Sequence, residues 1–152
     1  MREFADVEEL KTAVGQVLGE SEWVTVSQEM IDRFAEATGD FQWIHVDRTR
    51  AKASPFGNTI AHGFLTLSLV PRLLDQVYHV GKVAARLNYG CNKVRFTQPV
   101  PSGSRIRAQI RLADVEATPK GVRITSEATV ALEGSDRPAC VAELVAVVLP
   151  EA

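Results

Sequence analysis

The sequence has only two cysteines, three histidines and no run approaching the roughly 20 apolar residues that cross a bilayer. Cys91 and Cys140 share no CxxC spacing, which excludes a disulfide framework and the usual thiolate metal or redox sites. Both are expected as core thiols in a reducing compartment. Charge of neither sign dominates: 17 basic and 19 acidic residues are mixed along the chain for a net charge of -2. No clustered positive field is left for a phosphate backbone, so no nucleic acid partner is expected. The segment Met1-Arg2-Glu3-Phe4-Ala5-Asp6-Val7-Glu8-Glu9 carries acids where a secretory signal needs a basic and then an apolar region. The expected location is cytoplasmic, with no membrane segment. GxSxG, GxGxxG and Walker A patterns are lacking too, which removes the serine-hydrolase elbow, the dinucleotide fingerprint and the P-loop.

What is present suits one domain over residues 1–152, a length that buries about 68–70% of its unfolded surface. Val7, Leu10, Val14, Val17 and Leu18 recur at helical spacing before Gly19, predicting a short amphipathic helix. Glu22 to Val26 reads as a short strand, and Ser27 as the cap of a helix through Met30, Ile31, Phe34 and Ala35 that Gly39 ends. Asp47 caps a further turn to Lys52, and Ser54 to Asn58 is a loop. From Ile60 to Leu74 hardly any polar face remains, so this helix is expected to be buried all round, with Pro71 ending or kinking it near Val70. Beyond Tyr78 the texture becomes alternation and turns: Leu87 to Phe96, Arg105 to Val115, Val122 to Leu132 and Ala139 to Leu149 read as an antiparallel meander. Helices first and strands after give an α+β domain whose curved sheet wraps the apolar helix.

Reactive residue types converge on two stretches, Ala37 to Asp47 and Gly57 to Phe64. Asp40 and His45 are five residues apart beyond Gly39, a spacing that lets a carboxylate and an imidazole face one small molecule such as water. The same residue types serve equally as a helix cap and a surface imidazole. His45, Asp47, Asp40 and His62 supply nitrogen and oxygen donors, but their spacing matches no zinc signature, so no metal is expected. Gly63 opens the apolar helix, where an unpaired N–H free of an obstructing side chain suits a developing oxyanion, although close packing explains the glycine as well. For His62 the competing role is a ring satisfied by a backbone carbonyl. Thr66 and Ser68 have no base at a convincing spacing, so a nucleophilic hydroxyl is not supported.

These residues carry a resemblance. Thr38-Gly39-Asp40, then Ile44-His45-Val46-Asp47, Phe56-Gly57, Ile60-Ala61-His62-Gly63-Phe64-Leu65, Asn88-Tyr89-Gly90 and Lys93-Val94-Arg95-Phe96 resemble the MaoC-like (R)-specific enoyl-CoA hydratase family, in its single-domain nodulation protein N-like subgroup. The likeness runs from about Trp23 to the last strand. It implies a hot-dog fold, an antiparallel sheet around a long central helix, and a homodimer with acyl-CoA near the subunit interface. The implied activity, a step of fatty acid metabolism, is reversible syn addition of water to a trans-2-enoyl-CoA. Asp40 and His45 match the family's catalytic pair and Gly63 the glycine whose amide polarises the thioester carbonyl; Ile60, His62 and Phe64 are the expected substrate contacts. Coenzyme A is part of the substrate and no other cofactor is implied. A thioesterase on the same fold, or a non-catalytic acyl-thioester binding or partner subunit, is the competing assignment. Gln42-Trp43 stands where the family has Asn-Pro, and Pro71 where it has a serine.

Overall fold

A computed structural model describes residues 1–151. Strand β1 (Arg2–Phe4) and helix α1 (Val7–Lys11) lead into β2 (Val17–Glu20) and β3 (Val24–Thr25). Helices α2 (Gln28–Thr38), α3 (Trp43–Val46), α4 (Arg48–Lys52) and α5 (Gly63–Leu74) follow. The remainder is β4 (Tyr78–Val80), β5 (Val83–Arg95), β6 (Arg105–Thr118), β7 (Gly121–Leu132) and β8 (Pro138–Pro150). The main sheet is six-stranded, ordered β2-β6-β7-β8-β5 with β3 also on β6.

The strands form because their alternation matches a sheet with one covered face. On β6, Ile106, Ala108, Ile110 and Leu112 are fully buried while the arginines between them reach outward. Helix α5 lays Leu65, Leu69, Val70, Leu73 and Leu74 into the same core as those residues and Val130, Cys140 and Ala142 from β7 and β8. This is the expected α+β hot-dog arrangement.

Several expectations are corrected. The helix expected from Val7 to Leu18 stops at Lys11, because Gly15 turns at φ 89° and gives its N–H to the Leu112 carbonyl at 2.8 Å. Val17 then pairs with Arg111 on β6, a non-local bond that outweighs a local helical pattern. Strand β5 lies beside β8 rather than beside β6, so only β6, β7 and β8 form a simple meander. A parallel pair between β1 and β4 has no counterpart in the sequence reading. Helix α5 is not covered all round: Phe64 and Ser68 are exposed, and Leu67 and Pro71 are half-buried. Nor does Pro71 end it, since the helix continues to Leu74. Cys140 is a core thiol, its ionisation pushed up to about 11 by burial, but Cys91 is exposed on β5.

Candidate functional site

Two short helices and one helix start build the site. Helix α2 is capped as expected: the Ser27 hydroxyl accepts from the Met30 N–H, and Gly39 closes the helix in the left-handed region at φ 78°. That reversal delivers Asp40 into an exposed loop, where its Oδ1 accepts from the Gln42 N–H at 3.3 Å. Gln42, at φ -55° and ψ 137°, opens α3, which carries His45 inward to 6% exposure. Asp47 caps α4 by accepting from the Arg50 N–H at 2.9 Å.

Hydrogen bonds fix both imidazole tautomers. His45 Nδ1 lies 2.7 Å from the Ile60 carbonyl oxygen, and a carbonyl only accepts, so Nδ1 carries the proton and the lone pair is on Nε2. By the same reasoning His62 Nε2, 2.9 Å from the Asp40 carbonyl oxygen, is a donor. The two rings stack at 3.8 Å between centroids and 24° between planes, and Phe34 covers His62 from another direction at 4.9 Å. One donor atom from each of Asp40, His45 and His62 falls within 4.8 Å of the others. Burial is the main cause that holds the His45 pKa below its ordinary value; the nearby His62 lowers it further, against the Ile60 hydrogen bond and the Asp40 charge.

A metal ion fits this cluster poorly as it is arranged. Coordination needs the ion in the plane of each ring, at about 2.1 Å from nitrogen. Two nearly parallel rings stacked at 3.8 Å share no such point.

Helix α5 begins at Gly63 with His62 in the capping position, yet His62 makes no side-chain cap bond because its ring is turned to Asp40. The Leu65 and Thr66 N–H groups turn back to the His62 carbonyl, whereas those of Gly63 and Phe64 have no backbone acceptor among the described residues. Gly63 and His45 both line a cavity of about 380 Å³ with Ile60, Thr66, Phe96 and Val100. That size lies within the usual range of small-molecule sites. Asp40 is outside this lining and approaches from the exposed loop.

The structure thus brings Asp40 and His45 together with Gly63 and Ile60 nearby. The other two expected substrate contacts are placed differently. His62 is 2% exposed beneath His45, its Nε2–H held by a backbone carbonyl, which fits the competing role better than contact with a ligand. Phe64 is 68% exposed, outside the cavity and edge-on to Phe96 at 5.8 Å. Of the basic residues near the site, Arg50 lies over the Trp43 ring at 4.2 Å, and Arg48 and Lys52 border a separate polar recess.

Sequence reading missed Gln28. Its buried amide donates to the His45 carbonyl and to Asp32, each at 2.8 Å, and accepts from the buried Thr59 hydroxyl. A glutamine at the first position of a helix gives no signal of a partner 17 residues away. Phe96 and Thr66 were likewise missed as cavity walls, though an unpaired threonine on an apolar helix was a legible hint.

Comparison with known proteins finds likeness over most of the chain. The family profile described as MaoC like domain matches residues 9–133. A 3-hydroxyacyl-thioester dehydratase Z of Mycobacterium tuberculosis is 56% identical over 144 residues, covering 94% of this chain and 95% of that protein. Nodulation protein N of Rhizobium leguminosarum bv. viciae is 43% identical over 143 residues, covering 92% and 89%. Among solved structures, a monoamine oxidase regulatory protein from Archaeoglobus fulgius superposes with TM-score 0.76 at 28% identity, over 99% of this chain and 97% of that one. R-hydratase PhaJ1 from Pseudomonas aeruginosa shares the fold with TM-score 0.76 at 24% identity, over 98% and 88%.

Proposed function

Because the chain belongs to the MaoC-like family, we propose that it is a hydro-lyase that adds water reversibly to trans-2-enoyl-CoA, giving (R)-3-hydroxyacyl-CoA. The observation that carries the reading is the convergence of the Asp40 carboxylate and the His45 imidazole, whose free Nε2 is left as an acceptor. A relative named for dehydration of 3-hydroxyacyl thioesters supports the reaction class.

Water is a poor nucleophile, so a base must remove its proton as oxygen bonds to C3. The C2–C3 π electrons move toward C2, and negative charge builds on the thioester oxygen. That oxygen is met by the Gly63 N–H at the uncapped start of α5, where the helix dipole is also favourable. The enolate then takes a proton at C2 on the face that received the hydroxyl. Asp40 and His45, holding one water, take the first proton and return the second, so the pair ends the cycle unchanged. They act as a coupled unit rather than as a fixed acid and a fixed base. Ile60 borders the acyl chain inside the cavity. Coenzyme A enters only as part of the substrate.

The test mixes the purified protein with crotonyl-CoA and longer trans-2-enoyl-CoA substrates and follows loss of the conjugated absorbance beside a free-thiol assay. Absorbance loss without thiol release, abolished by Asp40→Asn and by His45→Gln in folded protein, is the expected result. Thiol release makes the protein a thioesterase. Absence of turnover at every chain length overturns the catalytic assignment in favour of a binding or partner-dependent role.

A further inference from the structure

His62 is spent on neither the cavity nor the helix cap, although it sits at the junction of both. It is 2% exposed, its Nδ1 is buried without a partner, and its Nε2–H is donated to the backbone carbonyl of Asp40, 22 residues earlier in the chain. Burying a polar nitrogen without a partner is unfavourable, so its retention here needs a reason beyond packing. An aliphatic side chain would fill the space between Phe34 and His45 without that cost.

The geometry points to His62 as a positioning residue that joins the two halves of the Asp40–His45 pair. The ends of the Asp40 loop are held by backbone bonds, Gly39 N–H to the Ala35 carbonyl at 2.8 Å and His45 N–H to the Gln42 carbonyl at 3.0 Å, but its side-chain ties, the Asp40 N–H to Thr38 Oγ1 at 3.4 Å and the Gln42 N–H to Asp40 Oδ1 at 3.3 Å, are both long. The His62 bond, at 2.9 Å, is shorter than either and holds the middle of the loop from a residue 22 positions away in the chain. Through the same ring His62 stacks on His45, whose Nδ1–H is donated to the Ile60 carbonyl and whose own backbone carbonyl accepts from Gln28. One rigid side chain thereby sets the distance between a carboxylate on an exposed loop and a buried imidazole. Because Gly63 follows it directly, the same placement also sets where the open amide of α5 lies relative to the pair.

This inference rests on the hydro-lyase reading for its kinetic consequence, but not for its structural one. His62→Phe keeps a ring in the stack and removes the donor; His62→Gln places an amide N–H near the position of Nε2; His62→Asn places its amide nearer Nδ1, short of the Asp40 carbonyl, and serves as the comparison without a donor at the Nε2 position if the phenylalanine variant does not fold. In His62→Phe, kcat on crotonyl-CoA is expected to fall about 10- to 100-fold with KM changed by less than about twofold, as for a misplaced catalytic group. His62→Gln is expected to recover most of that loss. Amide exchange across residues 39–43 is expected to quicken in His62→Phe and to return to the wild-type rate in His62→Gln, with β6 to β8 unchanged in both. A merely structural histidine would lower the melting temperature without splitting kcat from KM and without rescue by glutamine. If the wild type hydrates the substrate and His62→Phe matches it, or if the exchange rates of residues 39–43 do not separate the two variants, the positioning role is overturned while the function stands. If the wild type does not hydrate at all, the function falls, and the exchange experiment alone decides whether His62 holds the loop.

Discussion

Gly63 carries two constraints at one Cα. Its N–H is open at the start of α5, and a Cβ built there would lie 2.7–2.9 Å from ring atoms of Phe96. Gly63→Ala therefore pushes Phe96, 42% exposed and free to yield outward, and puts a methyl group beside the amide that receives the thioester oxygen. The chain still folds, while kcat/KM for hydration falls by at least about 10-fold, approaching the roughly 10²–10³ of a lost oxyanion donor. Thermal melting beside steady-state kinetics checks both halves. His45 allows a second expectation. Its pKa is held below the ordinary 6.5, chiefly by burial, so the neutral ring with a free Nε2 persists below that pH. The acidic limb of kcat/KM then lies below pH 6.5, and a limb at or above it contradicts a neutral His45 in the working pair. The sign for stability follows: the unfolded chain binds this proton more readily, so the contribution is complete above pH 6.5 and is lost as pH falls through the folded value. His45→Gln removes that dependence, which urea unfolding at several pH values reads out.

At the scale of elements, the departure from Asn-Pro at Gln42-Trp43 has a local explanation. Gln42 already holds φ -55° and ψ 137°, the extended backbone that a following proline demands, and Trp43 fills the first helical position, where proline is favoured. The cation–π contact of Arg50 over Trp43, worth roughly 0.5–1 kcal/mol at such a site, takes over the restraint. Trp43→Pro is accordingly expected to change stability by less than about 1 kcal/mol, since the lost contact is offset by a stiffer unfolded chain. Trp43→Ala loses the contact with no offset and melts lower; equal melting of the two variants counts against this account. These local devices were legible in the sequence: Ser27, Gly39 and Asp47 act through partners three or four residues away, and each stands where it was expected. The α5 start with His62 and Gly63 was legible for the same reason. Elements decided at long range were not. Val14 and Val17 fit a helical face, but both are exposed, and the pairing of Val17 with Arg111 across 94 residues of chain overrode the pattern. The place of β5 beside β8, the role of Gln28 and the buried stack of His62 on His45 likewise depend on contacts that no local spacing encodes.

Across the whole molecule the two ends of the main sheet are unlike. One end is closed by short strands, β2 of four residues and β3 of two, which leave little edge to pair. At the other end β5 runs for 13 residues with its outer edge open, and every residue from Arg86 to Lys93 is exposed. Within it Leu87, Asn88, Tyr89, Gly90, Cys91 and Asn92 are uncharged, so the charges that normally blunt an edge stand only at the flanks. Alongside, the uncovered face of α5 and β5 bound an apolar cavity of about 340 Å³ lined by Leu67, Pro71 and Tyr89. A second copy related by a two-fold axis would cover both features at once, because antiparallel pairing of β5 with itself is self-complementary. The homodimer that the family resemblance implies predicts a solution mass of twice the 16.6 kDa of the chain by light scattering. Leu87→Asp, at a site 52% exposed in the single chain, puts a desolvated carboxylate at the pairing edge and is expected to yield a folded monomer. On the family resemblance, which implies acyl-CoA near the subunit interface, that monomer is expected to lose hydration activity although Asp40, His45 and Gly63 are untouched. A wild-type monomer with full activity would remove the dimer from the mechanism, whereas an active dimer whose Leu87→Asp form is inactive and monomeric ties the open edge of β5 to catalysis.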